Sequence, residues 1–244
     1  MLLRPLLPAA LALAGLVTAA PLRAAPSLQA LQEALNSSSP EALTTVLEPG
    51  KGLDPDEVAN RRLLLREQFP DASWTVQPGA PLKDGRATTQ ITVAGSREEG
   101  PYRFRFEAQQ QLVLGASGDR FNSQEVIRES SILRSGDSDL KVSLLIPDAV
   151  LTGQRYDVDV VFDEPLDGAV VAGALQPVSA ADLLRMRTPD LQLEALGGGG
   201  IFKSAQAPYQ PGTQTWAVLL VHPKGIVAAS KQVKVVADRA ALSF

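Results

Sequence analysis

The sequence YRFRFEAQQQLVL, from Tyr102 to Leu114, alternates apolar with polar side chains, with Gln110 and Val113 as the exceptions. Alternation with a period of two is typical of a β-strand that has one buried and one solvated face. At about 3.3 Å per residue this strand is roughly 43 Å long, well beyond the usual length of about five or six residues. Such a strand predicts a sheet that curls around another element, which we expect to be a helix.

Three helix-start signals precede this strand. They are Ser27, Ser39-Pro40-Glu41 and Asp54-Pro55-Asp56-Glu57, which supply capping side chains and, in the last two, a proline suited to a first helical position. The third helix is expected to end at Gln68, because Phe69 precedes a proline and is pushed out of helical dihedral angles. The segment before the long strand is therefore predicted to be helical.

Period-two segments surround the long strand on both sides. Ala72 to Gln77 and Ala87 to Val93 precede it, and Phe121 to Leu133 follows it after a glycine-containing turn. The adjacent apolar pair Val126-Ile127 breaks the alternation of the last segment, which predicts a bulge or a strong bend. Together these segments predict a four-stranded antiparallel meander.

Helices followed by such a meander form an α+β order. From Ser27 to Arg134 this order resembles the NTF2-like (cystatin-like cone) fold, through element order and strand length rather than through a sequence motif. The resemblance implies helices packed on a curved antiparallel sheet. Enzymes of the ketosteroid-isomerase-like group place acid and base side chains in the concave pocket of this fold, but parity turns no Asp, Glu or His inward here, unless the bend reorients Glu125 or Glu129. We therefore predict no catalytic residue.

The C-terminal part of the chain has a different pattern. After a polar stretch from Ser135 to Asp139, short strand-like segments alternate with turn clusters, which predicts an antiparallel β-sandwich. This part resembles an immunoglobulin-like domain of the bacterial kind, without the cysteine pair. The predicted units are residues 27–135 and residues 139–238, behind a leader of residues 1–24.

The first residues have the features of a secretory signal peptide. Arg4 precedes an apolar segment from Leu6 to Ala20, and small residues follow. Cleavage after Ala24 is preferred and cleavage after Ala19 also fits. The apolar segment is shorter than the about twenty residues that span a bilayer, so no membrane span is expected after leader removal. With no cysteine in the chain, the expected location of this exported protein is the periplasm or an equivalent lumen.

Two groups of side chains are candidate binding residues. The first group would line the concave pocket and contains Trp74, Tyr102, Phe104, Phe106 and Gln110. The second group would form a basic interaction face and contains Arg86, Arg97, Arg103 and Arg105. The expected partner is an unknown protein or a small apolar ligand.

Other classes of site are disfavoured. The net charge of −4 and the lack of a basic run argue against nucleic acid. His222 lies at a predicted turn without a partner in sequence, and Asp157, Asp159 and Asp163 lack the glycine-containing spacing of a calcium loop, so neither a metal nor another cofactor is expected. The predicted function is a non-catalytic exported module for binding or assembly at the cell envelope. The alternatives are a ketosteroid-isomerase-like lyase or isomerase and a purely structural scaffold.

Overall fold

The computed structural model describes residues 25–136, 140–179 and 190–242. The predicted leader, residues 1–24, lies outside the described residues. Three α-helices precede the first strand: α1 (Leu28–Asn36), α2 (Ala42–Val46) and α3 (Pro55–Gln68). None of the helices in the described ranges is long and apolar enough to cross a membrane.

Two of the helices begin where their capping residues predict. The Ser27 side chain accepts a hydrogen bond from the Ala30 amide at the start of α1, and the Asp54 side chain accepts from the Asp56 and Glu57 amides at the start of α3. The predicted end of α3 at Gln68 is also confirmed. Local capping chemistry therefore determines where these helices lie.

Strands take most of the remaining described residues. In chain order they are β1 (Ser73–Gly79), β2 (Thr88–Glu99), β3 (Tyr102–Ser117), β4 (Arg120–Ser135), β5 (Val142–Leu145), β6 (Ala149–Leu151), β7 (Arg155–Phe162), β8 (Ala172–Val178), β9 (Glu194–Ala195), β10 (Gly200–Gln206), β11 (Gly212–His222) and β12 (Gly225–Val236). The predicted bulge in β4 is confirmed, because Gln111 pairs with Arg128 while the next residue, Leu112, pairs with Val126 and leaves Ile127 between them.

The strands form one large and one small sheet. The large sheet has the order β1-β2-β3-β4-β12-β11-β8-β9, and β6 adds to it by parallel pairing with β12. The small sheet has the order β10-β7-β5, so β7 is the one neighbour of β5 among the described strands. Apart from the β6–β12 pair, neighbouring strands are antiparallel.

The two faces of the large sheet are covered at different places. Leu133 of β4 packs into the core beneath the helices, whereas its neighbour Ile132 packs into the core shared with the small sheet. Because successive strand residues point to opposite faces, the helices and the small sheet lie on opposite faces. We call the face of Leu133 the helix face and the face of Ile132 the outer face.

The predicted fold class is wrong. Strands take 53% and helices 15% of the described residues, so the chain is mostly β, with few helices, and not an α+β cone of helices packed on a curved sheet. The resemblance of the C-terminal part to an immunoglobulin-like sandwich stays a prediction. The large sheet does not stop at β4, because Ser130–Arg134 pair with Lys231–Val227 of β12. A single antiparallel sheet therefore carries strands from both predicted units.

A close backbone approach accompanies this pairing. A Cβ atom on Gly136 would lie 2.3 Å from the carbonyl oxygen of Lys224, and the Ile226 amide donates to the Ser135 hydroxyl at 3.2 Å. Only glycine fits such an approach with the positive φ of 102° at this position. The end of β4 is thereby fixed against the β11–β12 turn, while the division into residues 27–135 and 139–238 stays a prediction.

Candidate functional site

A groove lies on the outer face of the large sheet. The small sheet covers this face over β4 and β12 and ends at β5, so the outer face of β2 and β3 lies open beside that strand. The groove has a cavity volume of about 440 Å³ and is lined by Gln90, Gln109, Gln111, Arg128, Glu129, Ser130, Leu144, Asp148 and Lys231. A smaller cavity of about 140 Å³ continues it towards Glu107, Ile132 and Val142.

The floor of this groove is rich in amide groups. Gln109 and Gln111 of β3 pair with Ser130 and Arg128 of β4, and Gln111 also pairs with Gln90 of β2. Alternate residues of β3 share a face, so Gln109 and Gln111 project together from the outer face, on which the small sheet lies. Glutamine amides both donate and accept hydrogen bonds, which makes the floor polar without giving it charge.

An ion-pair network closes one end of the groove. Asp148 receives Arg128 Nε at 2.6 Å on one carboxylate oxygen and Lys231 Nζ at 3.1 Å on the other. Both cations are thus directed at one carboxylate, which is about one-third exposed. Such pairs fix side-chain positions even where water limits their contribution to stability.

Gln111 extends this network across the sheet. It accepts a hydrogen bond from Arg128 Nη1 at 2.8 Å and donates to the Thr88 hydroxyl at 3.0 Å and to the Ala80 carbonyl at 3.1 Å. The loop between β1 and β2 folds over this position and buries Leu82. Gln111 is consequently buried and held in one amide orientation.

A second charged cluster involves the same loop. Arg86 lies 2.7 Å from Asp84 and 2.6 Å from Glu125, and Lys234 also contacts Glu125. Burial raises the pKa of Glu125, but hydrogen bonds and charge from Lys234 and Arg86 outweigh burial and hold this pKa below its usual value. Hydrogen bonds to Asp84 and Glu125 raise the pKa of Arg86.

The five predicted pocket residues do not line this groove. Trp74 is buried with its indole ring 5.2 Å from the Arg66 guanidinium, and Phe106 stacks on Phe69 with ring centroids 5.1 Å apart. Tyr102 is 59% exposed at the β2–β3 turn. Phe104 and Gln110 are half-buried. Ligand binding by these side chains stays a prediction.

The four predicted interface arginines do not share one environment. Arg97 lies 5.4 Å from the ring centroid of Phe69 and 5.0 Å from that of Phe104, among side chains of the helix-face core. Arg103 is exposed and Arg105 half-buried on β3, while Arg86 belongs to the Glu125 cluster. An arginine between aromatic rings is held by cation–π attraction, which separates Arg97 from the predicted face.

The remaining candidates have structural surroundings. His222 is buried against Phe162, and its Nδ1 accepts a hydrogen bond from the Lys224 amide at 3.1 Å. Asp157 and Asp159 lie on the solvent-facing side of β7. Within the described ranges, no three His, Cys, Asp or Glu side chains lie close enough together to hold a metal ion.

Comparison with known proteins gives one match. Residues 137–236 match the model of a family described as a domain of unknown function (DUF8623), a stretch shorter than half of the chain. No curated protein that was compared with the chain matches it. The matched stretch runs from just before β5 to the end of β12 and therefore includes the groove wall formed by Leu144, Asp148 and Lys231.

Proposed function

We propose that this protein is a non-catalytic binding or assembly module of the cell envelope and that it binds its partner in the groove. The observation that carries the proposal is the hydrogen-bonded network from Lys231 through Asp148 and Arg128 to Gln111. It arranges side chains of β3, β4 and β12, together with Asp148 between β5 and β6, in one concave site. Preorganised groups of this kind bind with a smaller entropic cost than mobile ones.

The composition of the groove favours a polar partner over the small apolar ligand expected from sequence. The cations Arg128 and Lys231 are balanced by the anions Glu129 and Asp148, and the floor adds neutral amides. Asp148 pairs with both Arg128 and Lys231, and these ion pairs hold the three side chains in place along the wall of the groove. These features support recognition by hydrogen bonds.

The location at the envelope rests on the amino-acid sequence. Arg4 and the apolar segment from Leu6 to Ala20 have the arrangement of a secretory leader. The chain has no cysteine, so an exported form has no disulfide and depends on its hydrophobic cores for stability.

Photo-crosslinking from inside the groove tests the proposal. A benzophenone amino acid replaces Gln109 in the groove floor or Thr75 of β1, an exposed residue outside both cavities. In the exported fraction of the producing cell, we expect a discrete adduct from position 109 and none from position 75.

A blocked groove provides the control. Ser130 lines both cavities, so Ser130→Trp should fill the groove and abolish the adduct from position 109 without lowering the melting temperature. Equal adducts from both positions, no adduct from either, or an adduct that persists in the folded Ser130→Trp protein would each contradict the proposal.

A further inference from the structure

The open edge of β5 is the feature of the groove that the proposed function does not use. A strand at the edge of a sheet presents backbone N–H and C=O groups that have no partner strand, and natural proteins usually cover or block them. The chain blocks one such edge. At β1, Asn36 accepts from the Trp74 amide at 3.0 Å and donates to the Trp74 carbonyl at 2.7 Å, and Gln32 accepts from the Val76 amide at 2.8 Å.

The register of the small sheet identifies the backbone groups that point into the groove. Phe162 donates its amide to Gly199 on the side of β10, whereas Asp163 donates to Lys141 on the side of β5. In an antiparallel pair, successive residues turn their N–H and C=O groups to opposite sides. Val142 pairs with Phe162 and Leu144 with Val160, so the backbone groups of Val142 and Leu144 point away from β7.

These groups face the groove and are left open there. Val142 and Leu144 line the cavities beside β5. Among the described residues, no hydrogen bond ends on their outward N–H or C=O groups. They form a row of donors and acceptors with the spacing of a strand.

The groove runs along this row. Arg134 of β4 donates to the Leu140 carbonyl at 3.3 Å, before β5, and Arg128 of β4 contacts Asp148, beyond it. The distance between these contacts corresponds to about six residues of β4, or on the order of 20 Å of extended chain. An incoming strand of that length would lie over Gln109 of β3.

We propose that an extended polar peptide segment of a partner protein pairs with β5 as a fourth strand of the small sheet and lies along the groove. This inference rests on the proposed function and names its partner by chemistry. Backbone pairing with an exposed edge supplies affinity in this mode of recognition, while alternate side chains supply specificity. Here those side chains would meet Gln90 and Gln109, whose amides make no hydrogen bond to other described residues and can match Ser, Thr, Asn or Gln.

A second copy of the chain fits this edge less well. Two β5 strands that pair around a twofold axis would place both large sheets on the same side of the joined small sheets. Each large sheet continues past β5 through β3, β2 and β1, so the two would occupy the same space. The edge admits a single extended chain rather than the edge of another folded sheet.

A peptide selection tests the inference. A phage-displayed library of linear heptapeptides is selected on the full protein and counter-selected on the folded Ser130→Trp variant. The selected sequence is then synthesised with a fluorescent label and with N-methyl groups at its odd or its even residues. We expect methylation of one parity to weaken binding at least about tenfold, measured by fluorescence polarisation, and methylation of the other parity to change it less than about threefold.

Variants of β5 give the matching test on the protein. Val142→Pro removes one outward donor and keeps the β5–β7 ladder, since proline is tolerated where a strand amide faces outwards. It should weaken peptide binding about tenfold, whereas Ser143→Ala, on the other side of the strand, should leave binding unchanged. If Val142→Pro lowers the melting temperature markedly, the N-methyl comparison decides the question alone.

The outcomes separate this inference from the proposed function. Binding that is insensitive to N-methylation of either parity, or no selected peptide together with a groove-dependent adduct from position 109, overturns strand pairing and keeps the groove as a binding site. No peptide and no adduct overturns both. Equal loss from methylation of both parities also contradicts strand pairing, because only alternate peptide amides would face β5.

Discussion

The guanidinium of Arg62 is buried and forms no ion pair with a carboxylate of the described residues, and its removal should cost more stability than that of other arginines near the helices. It is 8% exposed and donates to three backbone carbonyls, those of Ala34 at 2.9 Å, Ser37 at 3.0 Å and Ser39 at 3.2 Å. These carbonyls lie at and just after the end of α1, where backbone oxygens carry partial negative charge. The Ala34 and Ser39 carbonyls also accept the Ser37 and Ala42 amides, at the longer distances of 3.3 and 3.4 Å. Burial and the charge of Arg66 lower the pKa of Arg62.

The magnitude follows from which carbonyls water can reach after Arg62→Ala. Ala34 is buried, so its carbonyl would lose its charged donor in a dry site and keep only the Ser37 amide at 3.3 Å, at a cost of about 1–3 kcal/mol. The carbonyls of Ser37 and Ser39 are more exposed and keep Arg66 Nη1 at 2.9 Å and the Ala42 amide at 3.4 Å, so their loss costs about 1 kcal/mol together. We therefore expect Arg62→Ala to lower the free energy of unfolding by about 3 kcal/mol, measured by urea denaturation. Arg61→Ala, which removes an exposed ion pair with Glu57, should stay within about 0.5 kcal/mol. Equal effects of the two variants would refute the assigned role of Arg62.

Further predictions concern hydrogen bonds and charge elsewhere in the fold. Asn36→Ala should lower the free energy of unfolding by about 1–2 kcal/mol, because two half-buried hydrogen bonds between its side chain and the Trp74 backbone are lost. An effect no larger than that of Gln29→Ala, on the same helix, would contradict this. Tyr156→Phe should lower the free energy of unfolding by about 1–3 kcal/mol, because the Trp216 indole N–H donates to the Tyr156 hydroxyl at 2.9 Å in a buried site. The exposed Tyr209→Phe is the control in the same denaturation assay. Similar losses of stability in the two variants would contradict the contribution of the Trp216–Tyr156 hydrogen bond. The pKa of Glu125 is lower in the folded than in the unfolded protein, so ionised Glu125 stabilises the fold at pH values above the unfolded pKa near 4.5. This stabilisation is lost as the pH falls through the pKa of Glu125 in the folded protein. Glu125→Gln should therefore flatten the loss of stability below about pH 4.5, measured by denaturation across that range, and an unchanged slope would show that Glu125 does not contribute.

Local features of the fold could be predicted from sequence. The caps at Ser27 and Asp54, the strand β3 and the bulge at Ile127 each depend on neighbouring residues. The fold class could not, because it depends on the pairing of Ser130 with Lys231. Those residues are about a hundred positions apart in the chain, and neither propensity nor periodicity carries a signal across that separation.

The packing of α3 shows a second limit of periodicity. A pattern of apolar residues alone would bury Leu63 before Arg62, yet Leu63 is 57% exposed while Arg62 is buried. The carbonyls that attract Arg62 belong to the end of α1 and the turn after it. A buried arginine of this kind is recognisable only once the two helices are placed together.

The candidate site was missed for a related reason. The sequence placed Gln109 and Gln111 on a solvated face, which is correct for the exposed Gln109 but not for the buried Gln111. The loop between β1 and β2 covers Gln111, and β5 arrives from the C-terminal part of the chain to form the wall. The sequence signal that could have indicated the groove is the pair Gln109 and Gln111, two positions apart on β3, together with Gln90 on the neighbouring strand.

Amide hydrogen exchange along β5 tests the central claim most directly. In the free protein, the outward amides of Val142 and Leu144 should exchange quickly, whereas those of Ser143 and Leu145, which face β7, should be protected. Saturation with the selected heptapeptide should slow exchange at Val142 and Leu144 at least about tenfold, as expected for amides that gain a hydrogen-bond partner. Unchanged exchange at both residues in the peptide-saturated protein would contradict pairing of the partner with β5.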